Sequence, residues 1–535
     1  MFEAPVTTEP SATLNPEHSP RDAAEALVVI EREQRFSRSL LWRLQRAFFE
    51  REGIEAWRTN TVPHYVTNNP ALAHAYAQVV LGFLRDLCAG GQLDLAAPLT
   101  LVELGAGSGR FAFLFLRAFL RLLRASALAG VRVRYVLTDL AEKNIAFARA
   151  HEAFRPFIAA GVLDFALFDV ERDEELRLLE AGVTLGPGSL PQPLVVIANY
   201  VFDGIPQDAF SFCGGALHEQ LVTLRGRETD RTDPDSISRI AVEYSLRAAP
   251  LDYYGDPHLD EILRDYARRL DGDTILFPIA AVRCLERLAA LASGRLLLLC
   301  GDKGRVDEEA LRGEGAPSMA IHGSFSMPVN YHALGAYAER RGGRTLLPPR
   351  RHTSLKTVGV LLGEHPSAYA ETRAAYGEFF ARTGPDDLVA LRRGLQGRYD
   401  ELALDQLAAL VRLVHHDPRV LADCVPALSE QLEGASPAAR QELAQLVNEA
   451  WANYYPLGEE RDLAFELASL LCQIDEPRMA LALFADSARR RGAEPRTRWH
   501  MGLCHAALGE AEEAERCFAE ATGRGFIPDP PASPR

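Results

Sequence analysis

Between Leu99 and Leu362 short apolar runs alternate with longer segments whose apolar residues recur at helical spacing. That alternation predicts an α/β fold built on a doubly wound parallel sheet. Strands are expected from Leu99, over Arg132–Thr138, Val162–Phe168, Pro193–Ala198 and Arg295–Cys300, with Arg344–Leu347 and Lys356–Leu362 as two more around a Pro-Pro loop. Upstream, Leu27, Ile30, Phe36, Leu40, Leu41, Leu44 and Phe48 form an approximate 3.6-residue stripe, which predicts a helix from Ala23 to about Gly53. A turn at 64–70 then leads into a helix over Ala71–Cys88. After Ser367 the strand pattern stops, and residues 385–535 are Ala- and Leu-rich at helical spacing throughout.

A chain of 535 residues is too long for one core. The expected division is a disordered Pro-, Thr-, Ser- and Glu-rich start (1–22), an α/β domain (23–366) and an all-α domain (385–535). The α/β domain would open with helices over 23–95 and carry an inserted cap at about 221–292, with two strands and two helices. In that cap, Asp252-Tyr253-Tyr254-Gly255-Asp256 reads either as part of an acceptor pocket or as a surface turn. The end of the chain repeats itself: 34 residues before Gly502, Ala514 and Phe518 stand Ala468, Ala480 and Phe484. Small residues there let two helices approach and the aromatic fills between them. Stacks of such pairs offer concave surfaces to peptides or proteins.

A net charge of −15 argues against binding nucleic acid or an anionic membrane through a basic surface. The most apolar helix candidate, Phe111–Leu128, is interrupted by Arg117, Arg121 and Arg124 on one face, so it reads as a surface helix and not a membrane span. No apolar signal segment opens the chain, and the eight cysteines show no C-x-x-C pair. Both features fit a reducing, cytoplasmic setting. His322, His332 and His352 lack metal-ligand spacing, and no metal site is expected.

The candidate chemistry gathers at the strand ends. LTLVELGAGSGRFAF reads as a buried strand ending in Glu103, a tight turn with Gly105, Gly107 and Gly109, and a helix N-terminus. This arrangement brings backbone close to a nucleotide-like ligand. A dinucleotide fingerprint would need Gly or Ala where Arg110 stands, so pyrophosphate is disfavoured. Asp139, ending the second strand, is placed to accept from both hydroxyls of a ribose. Asp169, after the third, is a candidate for the adenine end or a helix cap. The fourth strand runs into Asn199-Tyr200-Val201-Phe202-Asp203. There the Asn199 carbonyl oxygen would fix an amine or amide of an acceptor, and Asp203 would pair with a cation or orient a neighbour. The competing reading is a loop whose Asn and Asp bond their own backbone.

The Glu103-x-Gly105-x-Gly107-x-Gly109 stretch resembles motif I of S-adenosylmethionine (SAM) methyltransferases, in which the glycines admit the ammonium-bearing end of the cofactor. Taken with HYVTNNPALAHAYAQ, ANYVFDGIPQDAF and HGSFSMPVNYHALGAYAERRGG in this order, residues 60–365 resemble the MidA family, whose mitochondrial relatives methylate an arginine of a respiratory complex I subunit. Thr67 and Pro70 match that family's first motif, and Asn68 and Asn69 depart from it. Asn199, Asp203 and Pro206 match a later one, with Gly204 in place of alanine.

The resemblance implies a Rossmann-like domain with SAM as cofactor, held by Thr67, Glu103, Gly105, Gly107, Gly109, Asp139 and Asp169. It places Asn199, Tyr200 and Asp203 at the acceptor. The spacing of the C-terminal repeats is similar to that of tetratricopeptide repeats, which implies a protein partner there and no cofactor contact from that region. Tyr200 stands where the family has glutamate, so a carboxylate that would grip an arginine acceptor is missing. Two function classes follow: a methyltransferase acting on an N or O nucleophile of a protein, a carrier-bound group or a small molecule, and a methyltransferase-fold scaffold working through its helices.

Overall fold

The computed structural model describes residues 27–59, 61–62, 65–349, 355–363 and 369–526. The expected disorder over 1–22 and the reading of His352 fall outside these residues. The strands used below are, in chain order, β1 (Val28–Arg35), β2 (Leu99–Leu104), β3 (Val133–Asp139), β4 (Leu163–Leu167), β5 (Leu194–Asn199) and β6 (Asp208–Cys213). They continue with β7 (Ala216–Gly226), β8 (Ala241–Ala249), β9 (Thr274–Phe277), β10 (Leu296–Asp302), β11 (Arg344–Leu346) and β12 (Lys356–Leu362). The first four helices are α1 (Leu40–Glu52), α2 (Glu55–Arg58), α3 (Pro70–Ala89) and α4 (Arg110–Arg124).

Seven strands form the main sheet in the order β11-β12-β10-β5-β2-β3-β4. The five from β10 to β4 run parallel, and β12 and β11 close one edge as an antiparallel pair. All six residues of β2 are buried, as expected of a central strand covered on both faces. On one face, α3 and α4 bury Tyr76, Phe83, Phe111, Phe115 and Phe119. The other face is covered by the helix Ile279–Leu291 and by a second sheet.

That second sheet corrects the reading of the N-terminus. Residues 28–35 are a strand, and the helix begins only at Leu40, capped by Ser39, whose Oγ accepts from Leu41 N. β1 pairs antiparallel with β7, from Val28 opposite Gly226 to Arg35 opposite Leu221. Only Ile30 of its eight residues is buried, so the strand lacks the apolar alternation that would have marked it. The inserted unit is also wider than the sequence indicates at its start. β6, β7, β8 and β9 with the helix Pro257–Arg269 span 208–277, and the helix Ile279–Leu291 packs on the main sheet.

Beyond Leu362 the described residues contain helices and turns but no strand. Gly502 lies under the ring of Phe518: a Cβ there would come within 2.6 Å of it. Ala468, Ala480 and Phe484 are fully buried at the corresponding places 34 residues earlier in the chain. No helix among the described residues is long and apolar enough to cross a membrane.

Candidate functional site

β2 delivers the chain to the turn 105–109, where Gly105 and Gly107 adopt φ of +57° and +54°. This left-handed backbone strains any residue with a side chain. Space reinforces the demand. A Cβ on Gly107 would stand 2.6 Å from the Trp57 indole of α2, and one on Gly105 would stand 2.9 Å from Val201.

Asp139 ties this turn to the end of β3. Its Oδ2 accepts from Gly107 N and its Oδ1 from Ala141 N, both at 2.8 Å, and burial pushes its pKa up. Each oxygen keeps a further lone pair toward which a hydroxyl can donate. Asp139→Ala would leave two buried N–H groups unpaired, at about 1–3 kcal/mol each. We expect a loss of about 2–6 kcal/mol in urea unfolding at pH 7, together with weaker cofactor binding; unchanged stability would show that the two bonds do not hold the turn.

Glu103 has a different position. It is 4% exposed, Tyr135 Oη donates to its Oε2 at 2.8 Å, and burial pushes its pKa up to about 8. Its carboxyl therefore braces β2 against β3. Of the two readings of Asp169, the helix cap is corrected. Arg46 of α1 grips both its oxygens, at 2.9 and 3.1 Å, and Glu171 N donates to Oδ1. Burial opposes its ionisation, but Arg46 and Glu171 N hold its pKa below the ordinary value. Asp169 thus anchors the N-terminal helix, and a turn follows it rather than a helix to cap.

Thr67 is 3% exposed in the loop before α3. The cap of α3 is Asn69, whose Oδ1 accepts from Leu72 N at 2.9 Å.

At the end of β5 the structure assembles a second cluster. Tyr76 Oη donates to Asn199 Oδ1 at 2.7 Å, so one of the two lone pairs of the oxygen expected to fix an acceptor is already used. The Asn199 Nδ2 is buried with no hydrogen-bond partner among the described residues. Tyr200 has φ of +55°, rare for a residue with a side chain, and its N–H is held by Gly301 O at 2.9 Å. Asp203 and Asp302, the last residue of β10, are both buried, and Tyr331 Oη donates to Asp302 Oδ2 at 2.7 Å. Burial pushes Asp203 up to about 6, although a hydrogen bond to Asp302 and the charge of Lys303 work the other way. Burial and the nearby Asp203 hold Asp302 well above the carboxylate range. Such a pair shares a proton near neutrality, because two adjacent buried carboxylates do not both ionise readily.

The C-terminal helices reach the glycine turn, against the expectation that they contribute nothing there. Tyr455 Oη donates to Ser108 O at 2.9 Å, and its ring stacks on His151 with centroids 3.9 Å apart. Arg110, in the first turn of α4, donates to Tyr455 O at 3.0 Å and to Glu459 at 2.5 Å. Tyr455, Trp57, Tyr76 and Asp302 all escaped the sequence reading. Only Asp302 carried a usable signal, as a carboxylate at the end of a parallel strand.

Residues 89–300 match a family described as "Putative S-adenosyl-L-methionine-dependent methyltransferase". The segment matches SAM methyltransferases. The matched span runs from the end of α3 to β10 and includes the glycine turn, Asp139 and Asn199. The cofactor of that family is SAM. No curated protein matches the chain.

Among solved structures, an uncharacterized protein from Burkholderia thailandensis is 16% identical, with 62% of this chain and 89% of that one covered at a TM-score of 0.39. A member of the same superfamily from that organism, bound to S-adenosyl-homocysteine, is also 16% identical, with 57% and 80% covered and a TM-score of 0.36. Mitomycin 7-O-methyltransferase is 13% identical, with 60% of each chain covered and a TM-score of 0.26.

Proposed function

We propose that this chain transfers a methyl group from SAM to a nitrogen or oxygen nucleophile. The observation that carries the reading is the family match over 89–300, which falls on a chain segment whose glycine turn and strand-end polar groups meet at one end of a parallel sheet. In open α/β sheets that end, near the switch in strand order between β2 and β5, is where ligands sit.

The residues present suit the cofactor. The glycine turn offers backbone without side chains, Asp139 has acceptor capacity for a ribose, and Asn199 Nδ2 is a buried donor awaiting a partner. Bound SAM supplies a methyl group already activated by its sulfonium. The chain's own work is then to orient the nucleophile and take its proton. Asp203 is the group that takes the proton, since with a pKa near 6 it is largely ionised at pH 7 while Asp302 keeps its own. Tyr76 fixes the Asn199 amide, so that Nδ2 points one way only.

The likeness to the MidA family makes a protein nitrogen, arginine included, one acceptor class. Tyr200 in place of glutamate favours a less cationic nucleophile. The 34-residue repetition of Ala468, Ala480 and Phe484 in Gly502, Ala514 and Phe518 supports a tetratricopeptide-like surface for a protein acceptor or partner. The scaffold reading draws its support from the Trp57 indole lying on Gly107, which would make the turn a packed structural element.

Titrating S-adenosyl-homocysteine while following tryptophan fluorescence separates the two. An enzyme should bind it with a change in emission from Trp57, absent in Trp57→Phe. Gly107→Val should abolish binding, because its Cβ meets the indole and its backbone is left-handed. Full affinity in Gly107→Val would move the cofactor elsewhere, and no binding in the wild type would leave the scaffold. A mass-spectrometric search for one added methyl group on captured proteins then identifies the acceptor.

A further inference from the structure

A cleft of about 350 Å³ lies between the start of α4 and the C-terminal helices. Trp57 belongs to two surfaces, since its indole covers Gly107 and also lines this cleft. Five arginines line it: Arg58, Arg110, Arg392, Arg419 and Arg461. Three carboxylates, Asp417, Asp423 and Glu459, face them. Arg58 pairs with Glu55 and Arg461 with Glu466, two carboxylates outside the lining, so the cleft's own carboxylates face chiefly Arg110, Arg392 and Arg419.

The carboxylates are already engaged. Asp417 accepts from Tyr65 Oη at 2.9 Å and from Arg419 N at 2.8 Å. Asp423 pairs with Arg392 at 3.2 Å and Arg461 at 3.9 Å, and Glu459 bonds Arg110 and Leu457 N. The guanidiniums, in turn, are crowded. Arg392 and Arg419 stand over the same Tyr65 ring, 4.4 and 5.3 Å from its centroid. Arg110 is only 7% exposed, and its Nη1 is buried without a hydrogen-bond partner among the described residues. Burial, and then the like charge of Arg419, lower its pKa. Glu459 and Tyr455 O engage only the Nη2 of Arg110; a buried guanidinium N–H without an acceptor is costly, and an oxyanion reaching Nη1 removes that cost through a charge-assisted hydrogen bond.

We propose that this cleft binds an anionic group of the methyl acceptor, a carboxylate or phosphate, gripped by Arg110, Arg392 and Arg419. The proposal rests on the methyltransferase reading and deepens it. Cofactor recognition draws on the glycine turn and strand ends inside the matched span. Of the five arginines only Arg110 lies in that span. Arg392, Arg419 and Arg461 come from the C-terminal helical region and Arg58 from before the match, so the cleft straddles the matched span and the rest of the chain. The C-terminal helices then supply half of an acceptor site, and the acceptor is an acid or a phosphorylated molecule.

The test uses the full chain with inorganic phosphate and citrate as probes, chloride held constant, read by calorimetry beside S-adenosyl-homocysteine binding. The wild type should bind at least one of the two anions. Arg392→Met and Arg419→Met should each weaken that anion by about tenfold or more, the loss of one charge-assisted fork. Arg392→Lys should retain part of the affinity, and the surface change Arg51→Met all of it. S-adenosyl-homocysteine affinity should stay within about twofold in every variant, which also shows that the variants are folded. Failure of both anions to bind wild-type protein that still binds S-adenosyl-homocysteine overturns the proposal and leaves the methyltransferase reading intact. If Arg392→Met or Arg419→Met weakens the anion and S-adenosyl-homocysteine together, the cleft serves the cofactor's own carboxylate, and its assignment to the acceptor is wrong.

Discussion

Tyr455→Ala is expected to destabilise the protein by about 3–5 kcal/mol, the range for removing a large buried aromatic side chain, and to abolish S-adenosyl-homocysteine binding in what remains folded. The residue is 1% exposed. Its ring packs on His151, Phe113 and Phe154, and its hydroxyl holds the Ser108 carbonyl of the glycine turn. Tyr455→Phe removes only the hydroxyl contact and should cost about 1 kcal/mol, with binding weakened modestly. Chemical unfolding and calorimetry on the same preparations give both numbers. An alanine variant as stable and as tight as the wild type would show that the turn stands without the C-terminal helices. On this view, deleting 385–535 removes part of the support of the cofactor turn along with any partner surface.

Asp203→Asn should lower methyl transfer by about 10²–10⁴-fold, the usual worth of a placed proton acceptor, while raising stability on the alkaline side. The sign follows from the direction of the shift. The folded pKa, about 6, lies above the ordinary carboxylate value, so the folded protein binds more protons than the unfolded chain between about pH 4 and 6. Wild-type stability therefore falls as pH rises through that window, by about 2–3 kcal/mol for a shift of roughly two units, and the asparagine variant lacks this decline. Urea midpoints at pH 4.5 and 7.5 measure it. Parallel pH dependence in the two proteins would mean that Asp203 titrates normally and is a poor candidate for the base.

The main sheet was legible because its strands are buried on both faces and so read as unbroken apolar runs. Lys356–Leu362 coincides with the strand expected from sequence. β1 was misread for the opposite reason. VVIEREQR buries one residue, and the spacing from Ile30 to Phe36 and Leu40 imitates a helix across what is a strand and a short 3₁₀ turn. The glycine turn announced itself because its dihedrals restrict composition. Glu103 and Asp169 were legible as carboxylates at strand ends; that Tyr135 and Arg46 bond them was not, because those partners come from other elements and leave no local pattern. Trp57 and Tyr455 arrive from outside the α/β core sequence, and the segment WANYYPLG around Tyr455 has no periodicity to mark its ring as buried. Asp203 was legible by itself, but not its pairing with Asp302, since the two are 99 positions apart in sequence.

Tyr455 also sets a clock on synthesis. It follows Ser108, whose carbonyl it holds, by 347 residues. At about 10 residues per second, the ribosome needs roughly half a minute after making the turn before the tyrosine exists. Until then Phe113, Phe154 and His151 have no ring to cover them, and a nascent chain presents this apolar patch to chaperones or to its neighbours on the polysome. A message cut short between codons 362 and 455 yields a product that has every strand of the main sheet yet cannot finish the turn. Quality control is thereby written into chain order: the last part translated completes the first loop needed.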